Sequence, residues 1–239
     1  MVFPFFYETI LFRNGEIPLL DLHYNRIYNS AKLIDKSISF NLEELKLKIL
    51  EAVNRKKSWA RIRLEFHVVL EKFELKSIDV TDFSEIEFCN ENPVSLCVFH
   101  EDFKSREILM NCKVANRLLY STSIAFAQSR GFSQSIILNE KNQIVESSIC
   151  NIFLIKNGQI YTPPLISGGV SGIMRSLIIE SFGAIEQEIA LESLDEFEEI
   201  FLTNALRGIL LVNRVEDRLL NYQFSNELRK KIVEKFKSN

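Results

Sequence analysis

Nine consecutive residues, Ala60-Arg61-Ile62-Arg63-Leu64-Glu65-Phe66-His67-Val68, alternate strictly between apolar and polar side chains. Successive side chains of a strand point to opposite faces, so this stretch calls for a sheet with one buried face and one wet face. Residues 69–78 and 94–99 carry enough β-branched and aromatic side chains to be its sheet neighbours. Residues 5–12 read as a further strand, ended by a turn at Asn14-Gly15. Between these strands the apolar period lengthens to that of a helix. Leu22, Ile27, Ala31 and Ile34 mark one helical face, and Leu42, Leu45, Leu47, Ile49, Leu50 and Val53 mark a second.

The second half mixes the same two periods. A helix is expected over 116–130 with Gly131 closing it, followed by strands at 135–138, 149–155 and 159–161. A helix over 172–182 is expected to be capped by Ser171 and closed by Gly183. Strands near 185–189, 199–203 and 208–215 lead to a last amphipathic helix over 225–236. The polar run 102–110 reads as a connection between lobes. At 239 residues the chain exceeds the ~150-residue prior for one domain. The length allows one large α/β (α+β) domain or two smaller ones; two lobes, residues 1–108 and 109–239, are the expectation.

Composition closes off several functions. A formal net charge of −3 supplies no global basic field for nucleic acid. The apolar start, Met1 to Ile10, lacks a basic leader and is interrupted by Glu8, so it reads as a strand and not as a signal or membrane span. Cys89, Cys97, Cys112 and Cys150 are dispersed, and the chain has three histidines, which points away from a metal knuckle and a disulfide framework. Reduced thiols fit a cytoplasmic protein.

Four segments carry candidate chemistry. Six of the eight glycines lie between 158 and 208, and Gly168, Gly169 and Gly172 fall at a helix start, where unpaired amides and the helix dipole favour an anion near Ile173 and Met174. Lys113 sits among Met110, Cys112, Val114 and Ala115, a setting that favours a neutral, nucleophilic amine. Glu146 can pair with a ring nitrogen, and Arg26, one turn past His23, can clamp a phosphate. Each also has an ordinary structural reading: a capped helix, a solvated lysine, an edge glutamate, a surface arginine.

Taken in order, Tyr7-Glu8-Thr9, Leu22-His23-Tyr24-Asn25-Arg26, Lys113-Val114-Ala115-Asn116-Arg117, Glu146, Gly172-Ile173-Met174-Arg175 and Phe201-Leu202-Thr203-Asn204 resemble the fold-type IV pyridoxal phosphate enzymes, the class IV aminotransferase family. The resemblance implies a two-domain fold like that of D-amino acid aminotransferase, with the cofactor between the lobes, and a homodimer acting on a small molecule. It implies that Lys113 forms the Schiff base and that Glu146 contacts the pyridine nitrogen. Arg26, Gly172, Ile173, Met174, Thr203 and Asn204 would hold the phosphate side. Ala205 stands where aminotransferases often keep a threonine, and Arg117 where branched-chain enzymes often keep a tyrosine. Lys-x-x-Asn-Arg-Leu and Gly-Ile-Met-Arg look most like 4-amino-4-deoxychorismate lyases, with Thr9 as a proton donor. A branched-chain or D-amino acid aminotransferase is the alternative, and a degenerate, non-catalytic relative a third. The usual strands and Gly-Asp-Gly before the Phe-Glu-Thr position are not found here, nor is the glycine-rich loop after the Arg-x-Arg-Leu strand.

Overall fold

A computed structural model describes residues 6–53, 57–88 and 92–237. Residue 5 of the expected first strand, and Cys89, lie outside them. Backbone contacts sort the chain into two units, one of Met1–Cys89 with Cys112–Asn116, the other of Asn90–Asn111 with Arg117–Asn239. Lys113 is thus counted with the first unit. A division at residue 108 stands as a proposal about which pieces fold on their own.

The first unit runs β1 (Phe6–Arg13), α1 (Leu20–Leu33), β2 (Ser37–Ile38), α2 (Leu42–Ala52), β3 (Trp59–Val69), β4 (Lys72–Asp82) and a short α3 (Glu85–Phe88). Its sheet has the order β1-β3-β4-β2. The alternation in β3 does what its pattern demands: Ala60, Ile62, Leu64 and Phe66 are fully buried, while Arg61, Arg63, Glu65 and His67 line the other face. The buried face packs against Ile27 and Ala31 of α1 and Leu45 and Ile49 of α2. Each such large apolar side chain contributes about 1.5–3 kcal/mol. α2 begins with a complete capping box, Asn41 accepting from the Glu44 amide while the Glu44 carboxylate accepts from the Asn41 amide. In place of a glycine-rich loop, β3 turns into β4 through Leu70 and Glu71, with Leu70 at φ 53° and almost wholly exposed.

The second unit contains β5 (Val94–Lys104), α4 (Leu118–Ser129), β6 (Gln134–Asn139), β7 (Ile144–Ser147), β8 (Asn151–Lys156), β9 (Gln159–Thr162), α5 (Ile173–Phe182), β10 (Ile185–Glu186), β11 (Glu199–Asn204), β12 (Gly208–Val215), β13 (Arg218–Leu219) and α6 (Gln223–Lys237). The sheet order is β10-β9-β8-β11-β12-β5-β6-β7, with β13 on β12. β6 is buried along its whole length, as a strand covered on both faces should be. Phe153 of β8 lies directly opposite Phe201 of β11, their rings parallel with centroids 4.9 Å apart.

Three local expectations are corrected. The run 102–110 is not all connection: β5 continues to Lys104, and a 3-10 turn follows at Ile108–Asn111. β4 is displaced from 69–78 to Lys72–Asp82, because the tight hairpin consumes residues 70 and 71. Ser171 does not cap α5; Gly172 is its N-cap and supplies no side-chain bond. Gly168 has a structural role, with φ at +105° and a position where an added Cβ would lie 2.4 Å from the Ser105 carbonyl oxygen. Gly168→Ala is expected to lower the unfolding free energy by about 3 kcal/mol, combining backbone strain and overpacking. Chemical denaturation measures this, and a loss below about 0.5 kcal/mol would contradict it.

Candidate active site

In the first unit β1 divides its polar residues between two faces. Tyr7 and Thr9 share one, opposite Glu65 and Arg63 of β3, and Glu8 points to the core side. There Glu8, 2% exposed, meets two residues one turn apart on α1: His23 Nδ1 lies 2.7 Å from its Oε2, Arg26 Nε donates to Oε1 at 2.7 Å, and Arg26 Nη2 donates to Oε2. Burial alone would raise the Glu8 carboxyl, but the Arg26 guanidinium, helped by the His23 hydrogen bond, brings it down to about 2. Burial lowers His23 against the pull of Glu8, and the charges of Arg26 and Lys113 push the same way as burial. Arg26, assigned from the sequence to phosphate, is therefore also committed to a carboxylate that sequence reasoning did not single out.

Lys113 enters this unit through backbone. The Tyr7 amide donates to the Lys113 carbonyl at 3.0 Å, and Val114 bridges to Phe6. The Lys113 ammonium lies 4.6 Å from the Tyr7 ring centroid, and the Arg63 guanidinium 4.5 Å from the same centroid. Lysine, arginine, tyrosine and Thr9 are thus neighbours on the sheet's wet face.

In the second unit Glu146 belongs to β7, a strand the sequence did not reveal, and is 3% exposed. Oε1 accepts the Lys104 ammonium and the Tyr120 hydroxyl, the latter at 2.7 Å; Oε2 accepts the Val170 amide at 3.0 Å and Asn151 Nδ2 at 3.4 Å. Asn151 also covers the start of α5, where an added Cβ on Gly172 would come within 1.8 Å of its Oδ1. Thr203 is paired in register with Asn151, and its hydroxyl is buried with no hydrogen-bond partner. Asn204 is spent on the turn after β11: its Oδ1 accepts the Leu206 and Arg207 amides at 3.1 and 2.9 Å, and its Nδ2 meets Cys150 Sγ at 3.2 Å. Burial pushes the Cys150 thiol up to about 11, so it is no nucleophile.

The structure therefore gathers Thr9, Arg26 and Lys113 in one unit, and Glu146, Gly172, Ile173, Met174, Thr203 and Asn204 in the other. The second set fits a pyridoxal phosphate on its own chemistry. Glu146 is a buried acceptor suited to a ring N–H, the α5 start offers unpaired amides with no side-chain cap, and the orphaned Thr203 hydroxyl needs a partner such as a phosphate oxygen. Lys104 and Tyr120 were missed, since neither lies at a motif position. Among the described residues no group of three or more His, Cys, Asp or Glu is placed to hold a metal ion, and no helix is long and apolar enough to cross a membrane.

Comparison with known proteins gives one consistent answer about family and two about reaction. The family model described as amino-transferase class IV matches residues 6–215. A provisionally named branched-chain-amino-acid aminotransferase of Methanocaldococcus jannaschii is 27% identical, over 97% of this chain and 85% of that protein. A provisionally named aminodeoxychorismate lyase of Schizosaccharomyces pombe is 29% identical, over 86% of this chain and 89% of that one. A crystal structure of a provisionally named 4-amino-4-deoxychorismate lyase from Legionella pneumophila superimposes with a TM-score of 0.86 at 19% identity, covering 96% of this chain and 90% of that chain.

Proposed function

We propose, because this chain belongs to the amino-transferase class IV family and is a pyridoxal phosphate-dependent enzyme, that it acts as a lyase converting 4-amino-4-deoxychorismate to 4-aminobenzoate and pyruvate, a step toward folate precursors. The observation that carries the reading is the pair Lys113-x-x-Asn116-Arg117-Leu118 and Gly172-Ile173-Met174-Arg175, with Ala205 following Asn204. The similarity to the fission yeast lyase supports it. The similarity to the archaeal aminotransferase, which spans more of the chain, keeps amino-group transfer to 2-oxoglutarate from a branched-chain or D-amino acid as the second reading.

In the lyase reading Lys113 would hold the cofactor, and its freed amine would take the proton from the amine-bearing ring carbon. Bound pyridoxal phosphate supplies the electron sink that makes this carbon acidic. Glu146 would pair with the ring nitrogen, Arg26 in the first unit and the amides of Ile173 and Met174 with Thr203 in the second would hold the phosphate, and Asn204 would shape the turn beside it. Thr9, on the same face as Lys113, donates a proton to the departing enolpyruvyl fragment. Arg63 on that face suits a substrate carrying carboxylates. We read the protein as a cytoplasmic homodimer, and exposed Phe103, Ile108, Leu109, Leu118 and Ile166 in the second unit favour the dimer.

The deciding assay supplies 4-amino-4-deoxychorismate and follows pyruvate through a coupled dehydrogenase. Pyruvate release without any keto acid is expected. Turnover only when an amino acid and 2-oxoglutarate are both present would replace the lyase with the transferase.

A further inference from the structure

Both oxygens of the Glu146 carboxylate accept from the protein, the Asn151 contact at 3.4 Å being long enough to give way to a ring N–H, and one of the donors is a cation as deeply buried as Glu146. Lys104, at the end of β5, is 3% exposed, and its ammonium touches Glu146 and the Tyr120 hydroxyl while resting 5.0 Å from the centre of the Tyr120 ring. Tyr120 in turn donates to the same Glu146 oxygen. The Val170 amide and Asn151 fix the other oxygen in place but carry no charge. Buried charged groups are paired and hydrogen-bonded, and within this cluster Lys104 is the charged partner that Glu146 meets.

We propose that Lys104 is the positioning residue for Glu146, holding its carboxylate fixed and aimed before the cofactor arrives, with Tyr120 bridging the two. The inference rests on the reading of Glu146 as the partner of the ring nitrogen. Lys104 acts on the cofactor only through that carboxylate.

The test is the affinity of cofactor-stripped protein for added pyridoxal phosphate, followed by absorbance, with wild type, Lys104→Met, Glu146→Gln and the double variant compared. Lys104→Met is expected to weaken binding by roughly tenfold or more, by analogy with the loss of an outer-shell partner at a metal site, and to alter the pH dependence of the bound cofactor's visible spectrum. In the Glu146→Gln background the same change should add less than about twofold, because the two act as one unit. Should Lys104→Met fail to fold, Tyr120→Phe tests the same chain with a smaller expected loss and the same vanishing in the Glu146→Gln background. If Glu146→Gln binds like wild type, the reading of Glu146 fails and takes this inference with it. If Glu146→Gln weakens binding but Lys104→Met does not, or weakens it equally in both backgrounds, Lys104 has no such role and Glu146 keeps its own.

Discussion

Lys113→Ala is expected to remove turnover on any substrate by at least ~10³-fold and to abolish the visible absorbance that borohydride fixes to the wild-type chain. The loss should be chemical and not structural. Lys113 ties into the fold through its backbone, by the Tyr7 amide and the neighbouring Val114–Phe6 bridge, and alanine keeps both. Its half-buried side chain lies against the Tyr7 ring, whose face stabilises a nearby cation by about 0.5–1 kcal/mol or more when desolvated, so removing it changes stability little. Steady-state rates, borohydride labelling and a thermal melt on one preparation separate these effects. A residual rate within tenfold of wild type would overturn the assignment of Lys113.

What could be read from the sequence follows from which interactions are local. The period-two run at 60–68 set the face of β3 correctly because each side chain's environment is dictated by the strand's own geometry, and Gly131 and Gly183 close α4 and α5 at positive φ as helix-ending glycines do. Lys104 was invisible because a lysine flanked by Phe103, Ser105 and Arg106 looks solvated; its burial is decided by Glu146, 42 residues away. β7 was missed for the opposite reason, since Val145, Glu146 and Ser147 offer no alternation, all four residues of the strand being buried. The α5 start was misplaced by one residue because Ser171 is the better intrinsic cap, yet Asn151 packs so closely over residue 172 that the helix must begin on the glycine. The Glu8 cluster did leave a signal. A lone carboxylate between Tyr7 and Thr9 in an apolar strand needs a buried partner, and His23 and Arg26 stand three apart on one helical face.

That cluster makes the protein's response to acid predictable in sign. Glu8 titrates at about 2 in the folded chain against an ordinary 4.5, so its contribution is complete above 4.5 and is lost as pH falls toward 2. The difference corresponds to about 3 kcal/mol. His23 is also lowered, first by burial, from an ordinary 6.5. Below 6.5 the unfolded chain therefore takes up a proton that the folded chain refuses, and stability falls in the same direction. Urea unfolding of cofactor-stripped protein should show stability declining from about pH 6.5 and more steeply below 4.5. Glu8→Ala at pH 7 should cost about 3–5 kcal/mol, because it removes the buried carboxylate that accepts two hydrogen bonds from the Arg26 guanidinium and contacts His23, and Glu8→Gln should cost less while flattening the decline below pH 4.5. A cost under about 1 kcal/mol for Glu8→Ala, or a wild-type midpoint unchanged between pH 7 and 4, would mean that the Arg26 charge is balanced elsewhere and that Glu8 does not hold α1 to β1.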